Sequence, residues 1–246
     1  MSKTVIFGAT GHIGSALARQ LHDNCVPLHL AGRNKADLSA LADEVNASFS
    51  EFDAMDNSSI SQAIADADTG GGLGGLVWAV GSILLKPLSS LSESDIQNCF
   101  QLNLFGAMIA AKSALASLKT GQGSILLFSS VAAQTGFNAH TAIGSAKAAI
   151  EGLVVALAAE AAPDIRVNAI APSLSESKMA APLMANPQMQ KALAATHPLG
   201  RLGTVDDFTA LAALLLDNQK AGWITGQIFA VDGGRSSVQV NSRGRS

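Results

Sequence analysis

Short apolar runs alternate with segments whose apolar residues recur at every third or fourth position along almost the whole chain. The runs with strand character cover residues 4–7, 26–30, 47–52, 76–81, 124–128, 165–171 and 228–231. Such an alternation favours a parallel sheet covered by helices on both faces. Because no linker or repeat interrupts it, we predict one α/β domain over residues 1–246, with a doubly wound sheet of about seven parallel strands.

The intervening segments predict helices over residues 13–21, 35–45, 58–67, 92–118 and 204–216, and an Ala-rich helix that Lys147 opens. Asn34 and Thr204 are placed to cap two of them, because a short polar side chain accepts from first-turn N–H groups. The glycine-rich residues 69–75 predict a flexible connector. Residues 173–203 contain three prolines and no strand pattern, so we predict a mobile helical lid there, and a polar tail over 235–246.

Charge and cysteine content narrow the partners and the compartment. A net charge of −3 and a pI of about 5.9 give no reason to expect nucleic acid or an anionic membrane as a partner. The N-terminus enters a strand pattern at once, and no apolar run approaches the roughly 18 residues of a membrane span. Cys25 and Cys99 lack metal-ligand spacing. We therefore expect reduced, buried thiols, no metal site and a cytoplasmic protein.

The first predicted strand leads into a glycine-rich turn, Gly8-Ala9-Thr10-Gly11-His12-Ile13-Gly14, and then into a helix. This spacing suits a dinucleotide pyrophosphate, because glycines let the backbone approach closely and a helix N-terminus offers unpaired N–H groups. A tight turn can also require glycine for its own sake. The strand and helix around the turn favour the dinucleotide site.

The ends of the next two strands bear on which dinucleotide binds. NAD binders require a carboxylate after the second strand, to accept from the ribose hydroxyls, whereas this chain has Gly32-Arg33. A guanidinium can pair with a 2′-phosphate, which favours NADP(H); an ordinary solvated arginine is the alternative. Asp53, after the third strand, is placed to accept from the adenine amino group.

Further motifs follow in order along the chain. They are Leu102-Asn103-Leu104-Phe105-Gly106, Ser130 with Lys147 after it, Arg166-Val167-Asn168-Ala169-Ile170-Ala171-Pro172, Leu199-Gly200-Arg201-Leu202-Gly203, Thr225-Gly226-Gln227 and Val231-Asp232-Gly233-Gly234. Together they resemble the short-chain dehydrogenase/reductase family over nearly the whole chain. The resemblance implies a Rossmann-type fold and an oxidoreductase that moves hydride between a nicotinamide cofactor and a carbonyl carbon.

The chain departs from the family pattern in its most important residue. Ile143 stands at the tyrosine position of the family's Ser…Tyr-x-x-x-Lys site, and the chain contains no tyrosine. In the family that tyrosine gives a proton to the substrate oxygen, which isoleucine cannot do. Smaller departures are His12 in place of a glycine, Trp78-Ala79-Val80-Gly81 in place of Asn-Asn-Ala-Gly, and Ser173 in place of the glycine after the proline.

The resemblance assigns roles to the residues that are retained. Ser130 would hydrogen-bond the substrate oxygen, Lys147 would hold the nicotinamide ribose, and Asn103 matches the family's helix asparagine; a strand-end serine, a solvated lysine and an asparagine at a helix kink are the alternatives. The cofactor would contact Gly8, Thr10, Gly11, His12, Ile13, Gly14, Arg33, Asp53, Ala79, Gly81, Lys147 and Pro172. We predict an NADP(H)-dependent oxidoreductase for a small carbonyl or enone substrate; the alternative is a catalytically silent NADP(H)-binding sensor or assembly subunit.

A histidine offers a substitute acid. His140 lies seven residues before Lys147, close to two helical turns, so the two share a face if the helix begins that early. The family's enoyl-thioester reductases place their tyrosine seven residues before the lysine, so the position of His140 resembles a catalytic position in that branch. Imidazole, with an ordinary pKa near 6.5, can donate a proton near neutral pH. A surface loop histidine is the alternative.

Apolar residues on the later helices predict self-association. The helices around 103–118 and 150–161 carry few charges, and Val154, Val155 and Leu157 exceed what one buried stripe needs. We therefore expect a homodimer or homotetramer, as is common in the family.

Overall fold

The computed structural model describes residues 2–175 and 186–239, and these residues confirm the predicted α/β fold. The strands are β1 Lys3–Phe7, β2 Leu28–Gly32, β3 Ser48–Glu51, β4 Leu73–Trp78, β5 Ser124–Phe128, β6 Arg166–Pro172 and β7 Ile228–Val231. All pair in parallel, in the order β3-β2-β1-β4-β5-β6-β7. The strand order reverses between β1 and β4, and ligands of doubly wound sheets bind at that point.

Helices cover both faces of the sheet. They are α1 His12–Asp23, α2 Lys35–Glu44, α3 Asn57–Ala67, α4 Glu93–Phe100, α5 Gly106–Gly121, α6 Thr141–Ala161, α7 Pro187–Ala195 and α8 Asp206–Leu216. Successive strand residues point to opposite faces, so Val5 and Phe7 of β1 pack in the layer of α3, α5 and α6. Ile6, between them, packs in the layer of α1, α2 and α8. These two layers hold the carboxyl ends of the strands in place.

The helical stretch predicted over 92–118 contains a change of helix type. Ser92 starts α4 with a capping box, in which its hydroxyl accepts from the Asp95 N–H and the Asp95 carboxylate accepts from the Ser92 N–H. A π-helical segment, Gln101–Phe105, joins α4 to α5 and carries Asn103. Such segments often occur at functional sites, and this one presents Asn103 toward the carboxyl ends of the strands.

The predicted boundaries of the fourth strand are wrong. Strand β4 begins at Leu73, inside the predicted flexible connector, and ends at Trp78, before Gly81. The glycines within it serve close packing rather than flexibility: a Cβ on Gly75 would lie 2.8 Å from the hydroxyl of Thr4 in β1. Strand β2 likewise starts and ends two residues later than predicted.

One predicted helix cap is confirmed and one is wrong. Asn34 caps α2, since its side chain accepts from the Ala36 N–H at 3.0 Å. Thr204 does not cap α8 with its side chain. Its hydroxyl instead donates to the Asp207 carboxylate at 3.0 Å, and Val205 is the residue at the cap position.

The predicted lid and tail are described only in part. Residues 176–185 lie outside the described residues, and α7, capped by Asn186, forms the later part of the lid interval. The tail begins with a turn in which the Arg235 N–H donates to the Asp232 carbonyl at 3.2 Å. Residues 240–246 lie outside the described part of the chain.

Two helical stretches, Glu93–Gly121 and Thr141–Ala161, are long and apolar enough to cross a membrane by length and composition alone. Core helices of soluble proteins share this length and composition, and 44% of the most apolar window of each stretch is buried inside the protein.

The prediction of surplus apolar residues on α6 is partly wrong. Val154 and Leu157 belong to the stripe that packs against the sheet, and only Val155 is exposed, by 55%.

The burial predicted for the two cysteines holds for one of them. Cys99 is buried in α4, but Cys25 is exposed, and neither forms a disulfide. Cys25 lies in the turn that ends α1, where its N–H donates to the His22 carbonyl at 2.8 Å. The chain reverses there before entering β2, which leaves the thiol at the surface.

Candidate active site

A cleft of about 660 Å³ opens at the carboxyl ends of the central strands, within the size range of small-molecule sites. Its walls come from the segments that follow β1, β4, β5 and β6, and from the beginning of α6. Predicted site residues that line it are Thr10, Gly11, His12, Ile13, Ala79, Gly81, Asn103, Ser130, His140, Lys147 and Pro172. The described lining does not include Gly8, Gly14, Arg33 or Asp53.

The glycines at both ends of the first turn are required by the backbone itself. Gly8 has a φ of +78°, and a Cβ on it would lie 2.8 Å from the Ala79 carbonyl oxygen. A Cβ on Gly14 would overlap the Gly8 carbonyl oxygen. Helix α1 then begins at His12, and no side chain caps its first turn. Its first N–H groups are therefore available to an anionic group such as a pyrophosphate.

Arg33 and Asp53 lie at the ends of β2 and β3, beyond the described cleft lining. Arg33 is exposed, and no ion pair of it occurs among the described residues. A Cβ on Gly32 would lie 3.4 Å from the Thr10 hydroxyl, so the end of β2 lies against the first turn. Asp53 accepts from the Met55 N–H at 2.9 Å, which leaves its second carboxylate oxygen for a ligand.

The two serines after β5 have different environments. Ser129 is buried, and its hydroxyl donates to the Glu151 carboxylate at 2.8 Å. Ser130 lines the cleft, and its hydroxyl oxygen accepts from the Ala132 N–H at 3.2 Å. That bond uses only the oxygen as an acceptor. The Ser130 hydroxyl can therefore still donate a hydrogen bond to a ligand.

Lys147 and Asn103 converge beside Gly81. Lys147 is buried, and its Nζ donates to the Phe128 carbonyl at 2.8 Å. Burial lowers the pKa of its ammonium from 10.5 to about 8. Asn103 donates through Nδ2 to the Cys99 carbonyl at 2.9 Å, while its buried Oδ1 has no partner among the described residues. A Cβ on Gly81 would lie 3.0 Å from that Oδ1 and 3.6 Å from the Lys147 Nζ.

Helix α6 begins at Thr141, earlier than predicted, so Lys147 lies inside it rather than at its start. His140 is the residue before the helix and lines the cleft. Its Nδ1 lies 2.7 Å from the Asn138 carbonyl oxygen, so in the neutral ring Nδ1 carries the proton and Nε2 is an acceptor. Ile143, one turn before Lys147, is buried and also lines the cleft.

Three further residues of the wall were not identified as site residues from the sequence. Ser173, Phe137 and Arg235 line the cleft, and the Arg235 guanidinium lies 4.7 Å from the centre of the Phe137 ring. The Ser173 hydroxyl contacts the Nε2 of buried His197 at 2.9 Å. Only Ser173 left a signal in the sequence, as the departure from glycine after Pro172.

Comparison with known proteins shows which family the chain resembles. A family described as "Enoyl-(Acyl carrier protein) reductase" matches residues 8–236. A tropinone reductase homolog of Arabidopsis thaliana is 30% identical, over 94% of this chain and 90% of that protein. An inactive 2-(S)-hydroxypropyl-CoM dehydrogenase of Xanthobacter autotrophicus is 32% identical, over 76% of this chain and 84% of the other.

Solved structures give the same result. A short-chain dehydrogenase/reductase from Brucella melitensis superposes with a TM-score of 0.90 at 28% identity, over 96% of this chain and 97% of that one. The fold is shared with a gluconate 5-dehydrogenase from Burkholderia cenocepacia, solved with NADP and tartrate, at a TM-score of 0.90 and 24% identity, over 97% and 96% of the two chains. The chain belongs to the short-chain dehydrogenase/reductase family of oxidoreductases.

Proposed function

We propose that the protein is an NADP(H)-dependent oxidoreductase that acts on a small carbonyl or enone compound through a site without tyrosine. One observation carries the proposal: the buried Oδ1 of Asn103 has no partner among the described residues, and the Lys147 ammonium shares its corner of the cleft. Buried acceptors normally have a donor. This corner therefore suits a hydroxyl group of a bound molecule, such as a ribose hydroxyl.

The residues present fit a dinucleotide. The uncapped first turn of α1 suits the pyrophosphate, exposed Arg33 suits a 2′-phosphate, and Asp53 has an oxygen for the adenine amino group. When bound, the cofactor supplies or accepts the hydride. The gluconate 5-dehydrogenase structure, which shares this fold, contains NADP.

The chain's own residues would activate the carbonyl. The Ser130 hydroxyl donates a hydrogen bond to the carbonyl oxygen, and the positive charge of Lys147 stabilises negative charge that develops there. Because the pKa of Lys147 is about 8, this lysine can also exchange a proton near neutral pH. His140 is the proposed acid: its Nε2 accepts in the neutral ring and donates only when the ring is protonated.

A catalytically silent NADP(H)-binding protein is the second candidate. The observation that favours it is the lack of any tyrosine, with Ile143 on the cleft wall in the position of the family's proton donor. One relative, 32% identical to this chain, is named as an inactive dehydrogenase. In this reading the same corner binds the cofactor, but no group completes the proton transfer.

A second copy of the chain is the proposed partner, with the cytoplasm as the proposed setting. The outward faces of α5 and α6 expose Met108 by 45% and Val155 by 55%. Small residues surround Val155, among them Gly152, Ala156 and Ala159, all exposed. Small residues let two helices approach closely, so these faces suit a two-fold contact in a dimer or tetramer.

The test measures binding and turnover separately. Calorimetry should give NADPH an affinity about tenfold or more above that of NADH, because the charged Arg33 contact is made only with a 2′-phosphate. Arg33→Ala should reduce this preference, whereas Arg19→Ala, which removes a surface ion pair with Glu44, should not. Nicotinamide absorbance should then reveal turnover across a carbonyl and enone panel. Binding without turnover would favour the silent protein, and equal affinities for NADPH and NADH would contradict the cofactor assignment.

A further inference from the structure

We propose that Arg235 binds a carboxylate group of the substrate, so that the compound acted on is an oxo acid or the corresponding hydroxy acid. The inference rests on the proposed function, and it names the substrate class of the same cleft. It starts from a cation on the cleft wall that has no ion-pair partner among the described residues.

The position of Arg235 is fixed by two contacts. Its guanidinium lies over the Phe137 ring, with 4.7 Å between the guanidinium carbon and the ring centre, and its Nη1 lies 3.4 Å from the Ser173 hydroxyl oxygen. Among the described residues, Ser173 is the one hydrogen-bond acceptor of this guanidinium, which has five N–H donors. A planar fork of N–H donors is the geometry that matches a carboxylate with two parallel hydrogen bonds.

Asp232, the carboxylate that attracts Arg235, does not form an ion pair with it. Asp232 is buried, and its two oxygens accept from the N–H groups of Gly234 and Ser236 at 2.8 and 2.7 Å. No ion pair involving Arg235 occurs among the described residues. Burial lowers the pKa of the Arg235 guanidinium, and the attraction of Asp232 offsets this only in part.

The charges of the cleft point the same way. Its described lining contains two basic side chains that can carry positive charge at neutral pH, Lys147 and Arg235, and no aspartate or glutamate. A cleft lined by one sign of charge concentrates ligands of the opposite sign. One arginine among apolar residues suits a single carboxylate better than a doubly charged phosphate.

Arg235 also lies beside the proposed acid. The Phe137 ring that it lies over is 5.3 Å from the His140 ring, centre to centre. A carboxylate held by Arg235 would therefore place the rest of an oxo acid along the wall that carries His140.

Ser173 and His197 hold Arg235 in place. The His197 Nδ1 lies 3.0 Å from the Leu193 carbonyl oxygen, so this nitrogen carries the proton and Nε2 accepts from the Ser173 hydroxyl at 2.9 Å. The Ser173 oxygen then accepts from Arg235. Ser173 is therefore a positioning residue, and it replaces a family glycine that has no hydroxyl.

The test uses the full chain loaded with NADP and needs no turnover for its first readout. Pentanoate and pentanamide, which differ only in charge and polarity at one end, are titrated by calorimetry. Pentanoate should bind more tightly, and Arg235→Gln should weaken it by about tenfold to a hundredfold, the usual effect of removing a charged hydrogen bond. Pentanamide affinity should stay unchanged. Arg19→Gln is the matched control, because Arg19 pairs with Glu44 and neither residue belongs to the described cleft lining.

The second readout is the turnover rate of oxo acids of increasing chain length, and each acid is compared with its methyl ester. The acids should be preferred, and Arg235→Gln should remove the preference while NADPH binding persists. If Arg235→Gln fails to bind NADPH, Arg235→Lys serves instead: it keeps the charge but loses the fork, so a smaller loss limited to the acids is expected.

The outcomes separate this inference from the proposed function. Charge-dependent pentanoate binding with no turnover would support the carboxylate site and count against the oxidoreductase. Turnover of esters and acids at equal rates, unaffected by Arg235→Gln, would support the oxidoreductase and overturn the carboxylate site. A clear preference for pentanesulfonate over pentanoate would also overturn the carboxylate assignment.

Discussion

The substitution Ile143→Tyr tests whether the site lacks only a proton donor. Residue 143 lies four positions before Lys147 in α6, which is about one helical turn, so the two side chains share a face. Ile143 is 6% exposed and lines the cleft. A tyrosine ring there can direct its hydroxyl into the cleft that Ser130 and Lys147 also line.

The substitution should lower the stability of the protein and, separately, raise the reaction rate. Ile143 packs with Cys99, Ala142 and Ala146 in a small apolar cluster, and a larger side chain in such a cluster costs about 1–3 kcal/mol of stability. General-acid catalysis contributes about 10²–10⁴ in rate, which is about 3–5 kcal/mol in the barrier. We therefore expect a folded variant with carbonyl reduction raised by about a hundredfold or more.

Ile143→Phe is the matched control, because it adds the same ring without the hydroxyl. NADPH consumption over a carbonyl panel and thermal unfolding would be measured for both variants. Only the tyrosine should raise the rate, and Lys147→Met in that background should remove the increase. Equal rates for the tyrosine and phenylalanine variants would refute the reasoning. If His140 already supplies the proton, Ile143→Tyr should add little and His140→Ala should abolish activity.

Two further predictions concern stability and assembly. Burial first, and then the nearby charge of Lys3, lowers the pKa of His29 from 6.5 to about 4, so the unfolded chain alone takes up a proton between these values. The contribution of neutral His29 to the free energy of unfolding should therefore be fully present above pH 6.5 and should fall by up to about 3 kcal/mol toward pH 4. Urea titrations should show a smaller loss in His29→Gln. Identical pH profiles for the two proteins would contradict this prediction. Light scattering at micromolar concentration should show a dimer or tetramer that Val155→Arg dissociates and that Met55→Arg, at another exposed site, leaves intact; a monomeric unmodified protein would disprove the proposed interface.

The fold could be predicted because its signals are local. Strand runs such as 125–128 are continuous and apolar, and Asn34 caps the helix that follows it. The start of β4 could not be predicted, because glycines at 74 and 75 usually indicate a loop. Here they allow close contact with the first strand, and a contact between segments distant in the sequence leaves no local pattern.

The residues of the candidate site likewise differ in whether a local sequence motif identifies them. Asn103, Ser130 and Lys147 could be identified because each belongs to a motif with fixed spacing. Arg235 and Phe137 belong to none, and their contact joins residues almost a hundred positions apart. Such a pair becomes visible only when the segments after β5 and β7 are brought to one cleft.

The π-helical segment at residues 101–105 makes this site sensitive to chain length as well as to residue type. A π turn holds about one residue more than an α turn, so it is equivalent to a single inserted residue between α4 and α5. A homologous chain shorter by one residue here could run as an unbroken α-helix between the same ends. Its asparagine would then be turned by about 100° about the helix axis, away from the corner at Gly81. In an alignment of homologues, a one-residue gap in this segment would thus mark proteins that keep the fold but have lost this part of the site.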